Sequence, residues 1–189
     1  MIKTGIYGGS FNPIHVGHIA LARQLLKKAG LDEIWFIVSP QNPLKKSSDL
    51  MDDNKRLELV EIALDGESGL KASNYEFHLP KPSYMLHTLQ SLSKDFPNRE
   101  FTLIIGADNW ESFPKWYGYQ EIIDHYSILI YPREGCKISV EKLPEKVSLI
   151  ETELYNISST EIRQRIKAGQ SIKGMVPDMI LDKVKEYWK

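Results

Sequence analysis

Short apolar stretches of strand length alternate with stretches of helical period along the whole chain, and this alternation constrains its fold more than any other feature. Strand patterns fall at residues 2–7, 33–38, 71–75, 101–105, 127–131 and 147–150. Several are apolar on both faces, as buried parallel strands are. Helical patterns lie between them at 18–28, 53–65, 84–94, 119–124 and 160–167. Residues 177–189 read as a closing helix with Pro177 in its first turn. The pattern predicts an α/β protein built as a doubly wound, Rossmann-like parallel sheet with helices on both faces. No repeat, low-complexity segment or linker interrupts it. A single domain over 1–189 is therefore expected, with the helices of 160–189 packing on the same core.

In open α/β sheets ligands sit beyond the carboxyl ends of the strands. The segment after the first strand reads Gly8-Gly9-Ser10-Phe11-Asn12-Pro13-Ile14-His15-Val16-Gly17-His18. A glycine-rich turn there is expected to aim unpaired N–H groups at one spot, which also faces the positive end of the following helix and so suits phosphate. His15 and His18 add donors without a bulky cation. They could equally form a zinc pair or lie idle at the surface, but no Cys or Glu sits nearby at ligand spacing. Neither G-x-G-x-x-G nor G-K-[ST] is present.

The segments after later strands carry chemistry too. Gly106-Ala107-Asp108 follows the fourth strand, where glycine permits close approach and Asp108 offers an acceptor. Equally, Asp108 would serve as cap of a short following helix. Trp116 and Tyr117 follow on a predicted loop, where a flat ring suits stacking on a base, although core is the default for a lone Trp. Ser158-Ser159-Thr160-Glu161-Ile162-Arg163 contains a Ser158/Glu161 capping box. Its remaining hydroxyls and Arg163 exceed what a cap requires and suit polyphosphate oxygens. Residues 39–50 form the longest aperiodic stretch of the first half and a candidate substrate lid.

Charge excludes other classes. With 24 basic against 25 acidic residues, the chain lacks the basic surplus of a nucleic-acid or anionic-membrane binder. No apolar run approaches the ~20 residues that span a bilayer. Cys136 is the single cysteine, so no internal disulfide can form. A cytoplasmic protein, without a leader, is the expectation. Exposed aromatic surface and interface cannot be told apart in sequence, which leaves a homo-oligomer open.

Gly-x-Phe-x-Pro-x-His-x-Gly-His near one end and Ile-Ser-Ser-Thr-x-Ile-Arg near the other resemble the nucleotidyltransferase superfamily across nearly the whole chain. Gly106-Ala107-Asp108, Lys115-Trp116-Tyr117 and Pro82-Ser83-Tyr84 are most similar to bacterial nicotinate-nucleotide adenylyltransferases. The resemblance implies that nicotinate mononucleotide and ATP give deamido-NAD and pyrophosphate, by direct attack on the α-phosphorus. It places His15 and His18 as catalytic donors to the α-phosphate and the emerging pyrophosphate. Gly8, Gly9, Ser10, Phe11, Gly106, Asp108, Ser158, Ser159, Thr160 and Arg163 would join His18 in binding ATP. Lys45 (with Lys46 as substitute), Tyr84, Met85, Thr88, Asp108, Trp116 and Tyr117 would bind the acceptor. Trp116 would stack on the pyridine ring while the Tyr117 backbone reads its carboxylate. Magnesium would ride on ATP phosphates and water rather than in a protein cage.

The chain departs from the family at three places. Met85 and His87 stand where a threonine and an aspartate are usual. Gln41-Asn42-Pro43-Leu44-Lys45 replaces the usual Pro-Pro-His-Lys loop, and Arg133 is shifted by one from the usual Arg-Pro-Gly.

Overall fold

A computed structural model describes residues 1–40 and 49–188. Six strands form one sheet: β1 (Ile2–Gly9), β2 (Glu33–Val38), β3 (Leu70–Ser73), β4 (Arg99–Gly106), β5 (Ser127–Tyr131) and β6 (Val147–Leu149). All neighbours are parallel, in the order β3-β2-β1-β4-β5-β6. The helices are α1 (Val16–Lys28), α2 (Asp53–Ala63), α3 (Met85–Asp95), α4 (Ala107–Ser112), α5 (Tyr119–His125), α6 (Ser159–Lys167) and α7 (Leu181–Tyr187). None of the described helices is long and apolar enough to cross a membrane.

Strand period sorts the core into two layers. Tyr7, Ile34, Phe36, Val38 and Ile104 point to one face, where Leu21 and Leu25 of α1 and Leu59 and Val60 of α2 cover them. Ile162, Ile172, Val176, Ile180 and Val184 belong to this same cluster. Ile6, Trp35, Ile37, Leu103 and Ile105 point to the other face, under Leu86, Leu89 and Leu92 of α3 and Ile122 of α5.

The two halves of the sheet wind outward from β1 and β4, so these strands bound the switch-point crevice. Register shows where it opens. Pairing of β1 with β4 runs from Ile2↔Arg99 to Tyr7↔Ile104 and stops there. Pairing of β1 with β2 continues through Gly8↔Ile37 to Gly9↔Val38. Gly8 and Gly9 therefore extend the first strand rather than forming the turn expected of them. What glycine provides here is space. A Cβ on Gly8 would come within 2.9 Å of Met85 Cε, and one on Gly9 within 3.2 Å of the Phe11 ring.

The chain's end also differs from the sequence reading. Instead of one helix over 177–189, a 3₁₀ turn (Asp178–Ile180) precedes the two-turn α7, and Pro177 caps the 3₁₀ turn. Proline's fixed φ and missing N–H suit that outside position.

Candidate active site

The turn after β1 begins at Ser10. Phe11 is the one non-glycine residue with positive φ among those described, at 44°. A bulky residue held there signals a backbone over-determined by its surroundings. Its ring fixes it, buried and edge-on to Tyr7 at 5.5 Å and to His18 at 5.1 Å.

His15 and His18 then start α1 together. His15 is the N-cap, and its Nδ1 accepts from the backbone N–H groups of Gly17 (3.1 Å) and His18 (3.3 Å). In return His18 Nδ1 accepts from the His15 N–H at 3.1 Å. The rings stack with centroids 3.6 Å apart. Gly17 makes room, because a Cβ there would lie 3.0 Å from the His15 ring. An imidazole whose Nδ1 accepts carries its proton on Nε2, so both rings are set as Nε2–H donors. Burial, aided by the charge of Arg133, lowers the His15 pKa to about 4 and keeps this ring neutral. The N–H groups of the first helical turn, expected to face phosphate, are in part taken up by His15. The histidines hand the donor role to their own Nε2 atoms.

Both rings line a cavity of about 210 Å³. Tyr7 and Tyr131 also line it, with Arg133 on one side and Asn156, Ile157 and Ser158 on another. Arg133, shifted by one from the usual Arg-Pro-Gly, lies with its side chain 3.7 Å from the Asp108 carboxylate. Asp108 is thus no helix cap. The N-cap of α4 is Gly106, and Asp108 sits in the first turn with half its side chain exposed. Gly106 is needed because a Cβ would come within 2.6 Å of Asp108 Oδ1 and 3.1 Å of Arg133 Cγ.

The α6 segment is distributed differently from expectation. Ser158 is the N-cap, its Oγ accepting from the Glu161 N–H, but Glu161 pairs with Arg165 and leaves the capping box half formed. Ser159 Oγ donates to the Pro13 carbonyl at 2.8 Å, so that hydroxyl is left only as an acceptor. Arg163 donates to the Asn12 carbonyl (2.8 Å) and to Thr160 Oγ1 (3.3 Å). These bonds tie α6 to the turn after β1 across 146 and 151 residues of sequence.

Of the residues assigned to the acceptor, Tyr84 caps α3 and Met85 opens it. Tyr84, His87 and Tyr117 form an aromatic triangle, with Tyr117 rings 5.0 Å from Tyr84 and 5.1 Å from His87. Tyr117 is 54% exposed, and Met85 reaches toward Gly8. Trp116 is half-buried against Phe113 at 5.0 Å, its indole N–H without an acceptor among the described residues. Thr88 corrects the sequence reading. It is fully buried, and its hydroxyl donates to Glu76 at 2.9 Å, so it supports α3 from inside and does not face a ligand. Lys45, Lys46 and the body of the candidate lid lie outside the described residues.

No three His, Cys, Asp or Glu side chains among the described residues converge to hold a metal ion.

Residues 6–165 match the cytidylyltransferase-like family. Similar proteins include a probable nicotinate-nucleotide adenylyltransferase of Bacteroides fragilis, 47% identical over 90% of this chain and 85% of that one. Its counterpart in Bacteroides thetaiotaomicron is 46% identical over 98% and 92%. The fold is shared with the Plasmodium falciparum nicotinic acid mononucleotide adenylyltransferase complexed with NaAD, at a TM-score of 0.84 and 22% identity over 99% and 96% of the two chains.

Proposed function

The chain belongs to the cytidylyltransferase-like family, among its nicotinate-nucleotide adenylyltransferases, and from that membership we propose how it joins ATP to nicotinate mononucleotide. The acceptor's phosphate oxygen attacks the α-phosphorus of ATP in line. A new P–O–P bond forms, the bond to the β-phosphate breaks, and pyrophosphate leaves with the electron pair. Deamido-NAD is the other product.

The observation that carries this reading is the paired capping of α1. It holds two Nε2–H donors, their rings stacked at 3.6 Å, after the carboxyl end of β1. Phosphoryl transfer asks little covalent chemistry of a protein and much positioning and charge stabilisation. In our reading His15 and His18 donate to the α-phosphate and the departing oxygen. Gly9, Ser10 and Phe11 contribute backbone contacts, and Arg163 with Thr160 and Ser158 faces the β- and γ-phosphates. Asp108 and Gly106 receive the ribose, and Arg133 adds a cation beside it. Trp116 and Tyr117 take the pyridine ring, and Lys45 its phosphate.

The divalent cation, magnesium in this reading, enters as part of the ATP substrate.

The test is pyrophosphate release with ATP and magnesium, offering nicotinate mononucleotide, nicotinamide mononucleotide and phosphopantetheine in parallel. Preference for the nicotinate form supports the reading. Equal use of acid and amide assigns relaxed selection to Met85 and His87, and no release with any acceptor refutes it.

A further inference from the structure

Arg56 is the largest fully buried side chain described, at 0% exposure, although the polar composition of α2 around it reads as a solvated face. It does not touch the cavity of the histidines. Its Nη1 donates to the carbonyls of Ser10 (2.6 Å) and Ser39 (2.8 Å), and its Nε to that of Met51 (2.8 Å). Asp53 balances the charge through Nη2. One guanidinium thus gathers the turn after β1, the end of β2 and the start of α2.

The Ser10 bond has a directional consequence. In a trans peptide the carbonyl and the next N–H point opposite ways. Turning the Ser10 carbonyl toward Arg56 therefore turns the Phe11 N–H away from α2. No described residue accepts from that N–H. Phe11 is also the residue with positive φ, a conformation that an l-residue leaves unless it is held. Asn12 holds the other side of this turn, its amide donating to the Asp49 carbonyl (2.8 Å) and accepting from the Met51 N–H (3.1 Å).

We propose that Arg56 is a positioning residue for adenylyl transfer: by holding the Ser10 carbonyl it aims the Phe11 N–H at the reacting phosphate. The proposal rests on the reading that the turn after β1 meets phosphate. It implies that Arg56 acts on the transition state more than on either substrate's affinity, since α6 and the α3 aromatics bind the remote parts.

The test compares wild type with Arg56→Lys, which keeps the buried cation but lacks the planar fork, and with Arg56→Gln, which is neutral. Asp53→Asn serves as control, because it weakens the charge balance and leaves the carbonyl bonds in place. Per folded molecule, kcat is expected to fall about tenfold or more in Arg56→Lys, with KM for ATP and for the mononucleotide changed less than about threefold. Asp53→Asn is expected to lose stability and keep kcat. Wild-type kcat per folded Arg56→Lys molecule, or a loss confined to KM, overturns the proposal. Amide resonances read the same geometry without turnover: the Phe11 signal is expected to move in Arg56→Lys or Arg56→Gln while that of Gly106 stays. A Phe11 signal that stays in both variants overturns the proposal as well. Wild type that releases no pyrophosphate refutes the reaction instead, and the Phe11 signal still decides the role of Arg56.

Discussion

His15 and His18 each accept the other's backbone N–H at Nδ1, at 3.3 and 3.1 Å, so two side chains that cap a helix are also fixed as Nε2–H donors. The cap uses Nδ1 of each ring and sets the proton on the opposite nitrogen. Helix formation and tautomer choice therefore reinforce each other, and the donors are set before any nucleotide arrives. Preorganised donors stabilise developing charge without reorganising when the reaction occurs.

Separating the two roles is possible at His18. His18→Ala removes one donor and one side of the reciprocal cap. The donor's loss is expected to lower kcat about 10²–10³-fold. The lost cap costs about 1 kcal/mol, a fall in Tm of about 2–4 °C for a domain of this size. Steady-state kinetics beside thermal melting checks both. Near-normal kcat in a folded His18→Ala protein would remove His18 from the transition state.

At His15 the two roles separate by pH. Its folded pKa is lowered to about 4 by burial and by Arg133, against about 6.5 when unfolded. Between those values the unfolded chain binds the extra proton, so stability rises with pH across the window. The contribution is present in full above about 6.5 and is lost as pH falls toward about 4. His15→Asn keeps a capping oxygen and removes the titration. Melting curves from pH 4 to 7 are expected to show a shallower slope in His15→Asn than in wild type. Equal slopes would mean that the ring is not held neutral by the fold. The same lowered pKa predicts no acid limb in kcat near pH 6.5 from this residue.

Gly8 and Gly106 lie near the carboxyl ends of β1 and β4 but differ in what a methyl group would meet. At Gly8 it meets the mobile end of Met85, and at Gly106 it meets Asp108 and Arg133 together. Gly106→Ala is expected to displace that pair and weaken ATP binding about tenfold, about 1.4 kcal/mol. Gly8→Ala is expected to be milder, because a methionine end repacks easily. Calorimetric titration of ATP into both variants makes the comparison. Equal affinities would detach Asp108 and Arg133 from the nucleotide.

Much of the fold was legible because buried parallel strands advertise themselves. Residues 33–38 are all apolar but for Glu33, and the strand occupies that range. Of the residues that the strand-end rule brings out, His15, His18 and Ser158 line the cavity, while Gly8 and Gly106 lie near the carboxyl ends of β1 and β4. Roles carried by hydrogen-bond direction were not legible. The capping of α1 by His15 has no Ser, Thr, Asp or Asn to announce it. Ser159 reads as a phosphate donor until its hydroxyl is found on Pro13. Thr88 lies three residues after Met85 on α3, but its side chain is buried and donates to Glu76. Arg56 and Arg133 are lone arginines in polar surroundings, and only tertiary packing distinguishes them from surface charge.

Glu33 supplies a contrast at the opposite end of the sheet. It pairs in register with Thr4, far from the carboxyl ends of the strands where the site lies. Its carboxylate is nearly buried, which opposes charge, yet bonds from Lys71 (2.7 Å), Arg99 (2.7 Å) and Thr4 (2.9 Å) outweigh burial and hold its pKa at about 2. A carboxyl depressed in the fold stabilises it above the unfolded pKa and loses that contribution as pH falls through about 4.5 toward 2. Glu33→Gln keeps the shape and leaves Arg99 without its counter-charge. Urea unfolding at pH 7 is expected to show a loss of about 1–3 kcal/mol that shrinks at low pH. The kcat of the folded variant is expected to match wild type, because nothing at this end of the sheet touches the crevice. A kcat loss in folded Glu33→Gln would show that the sheet transmits strain from one end to the other, and the separation of this end of the sheet from the crevice would fail.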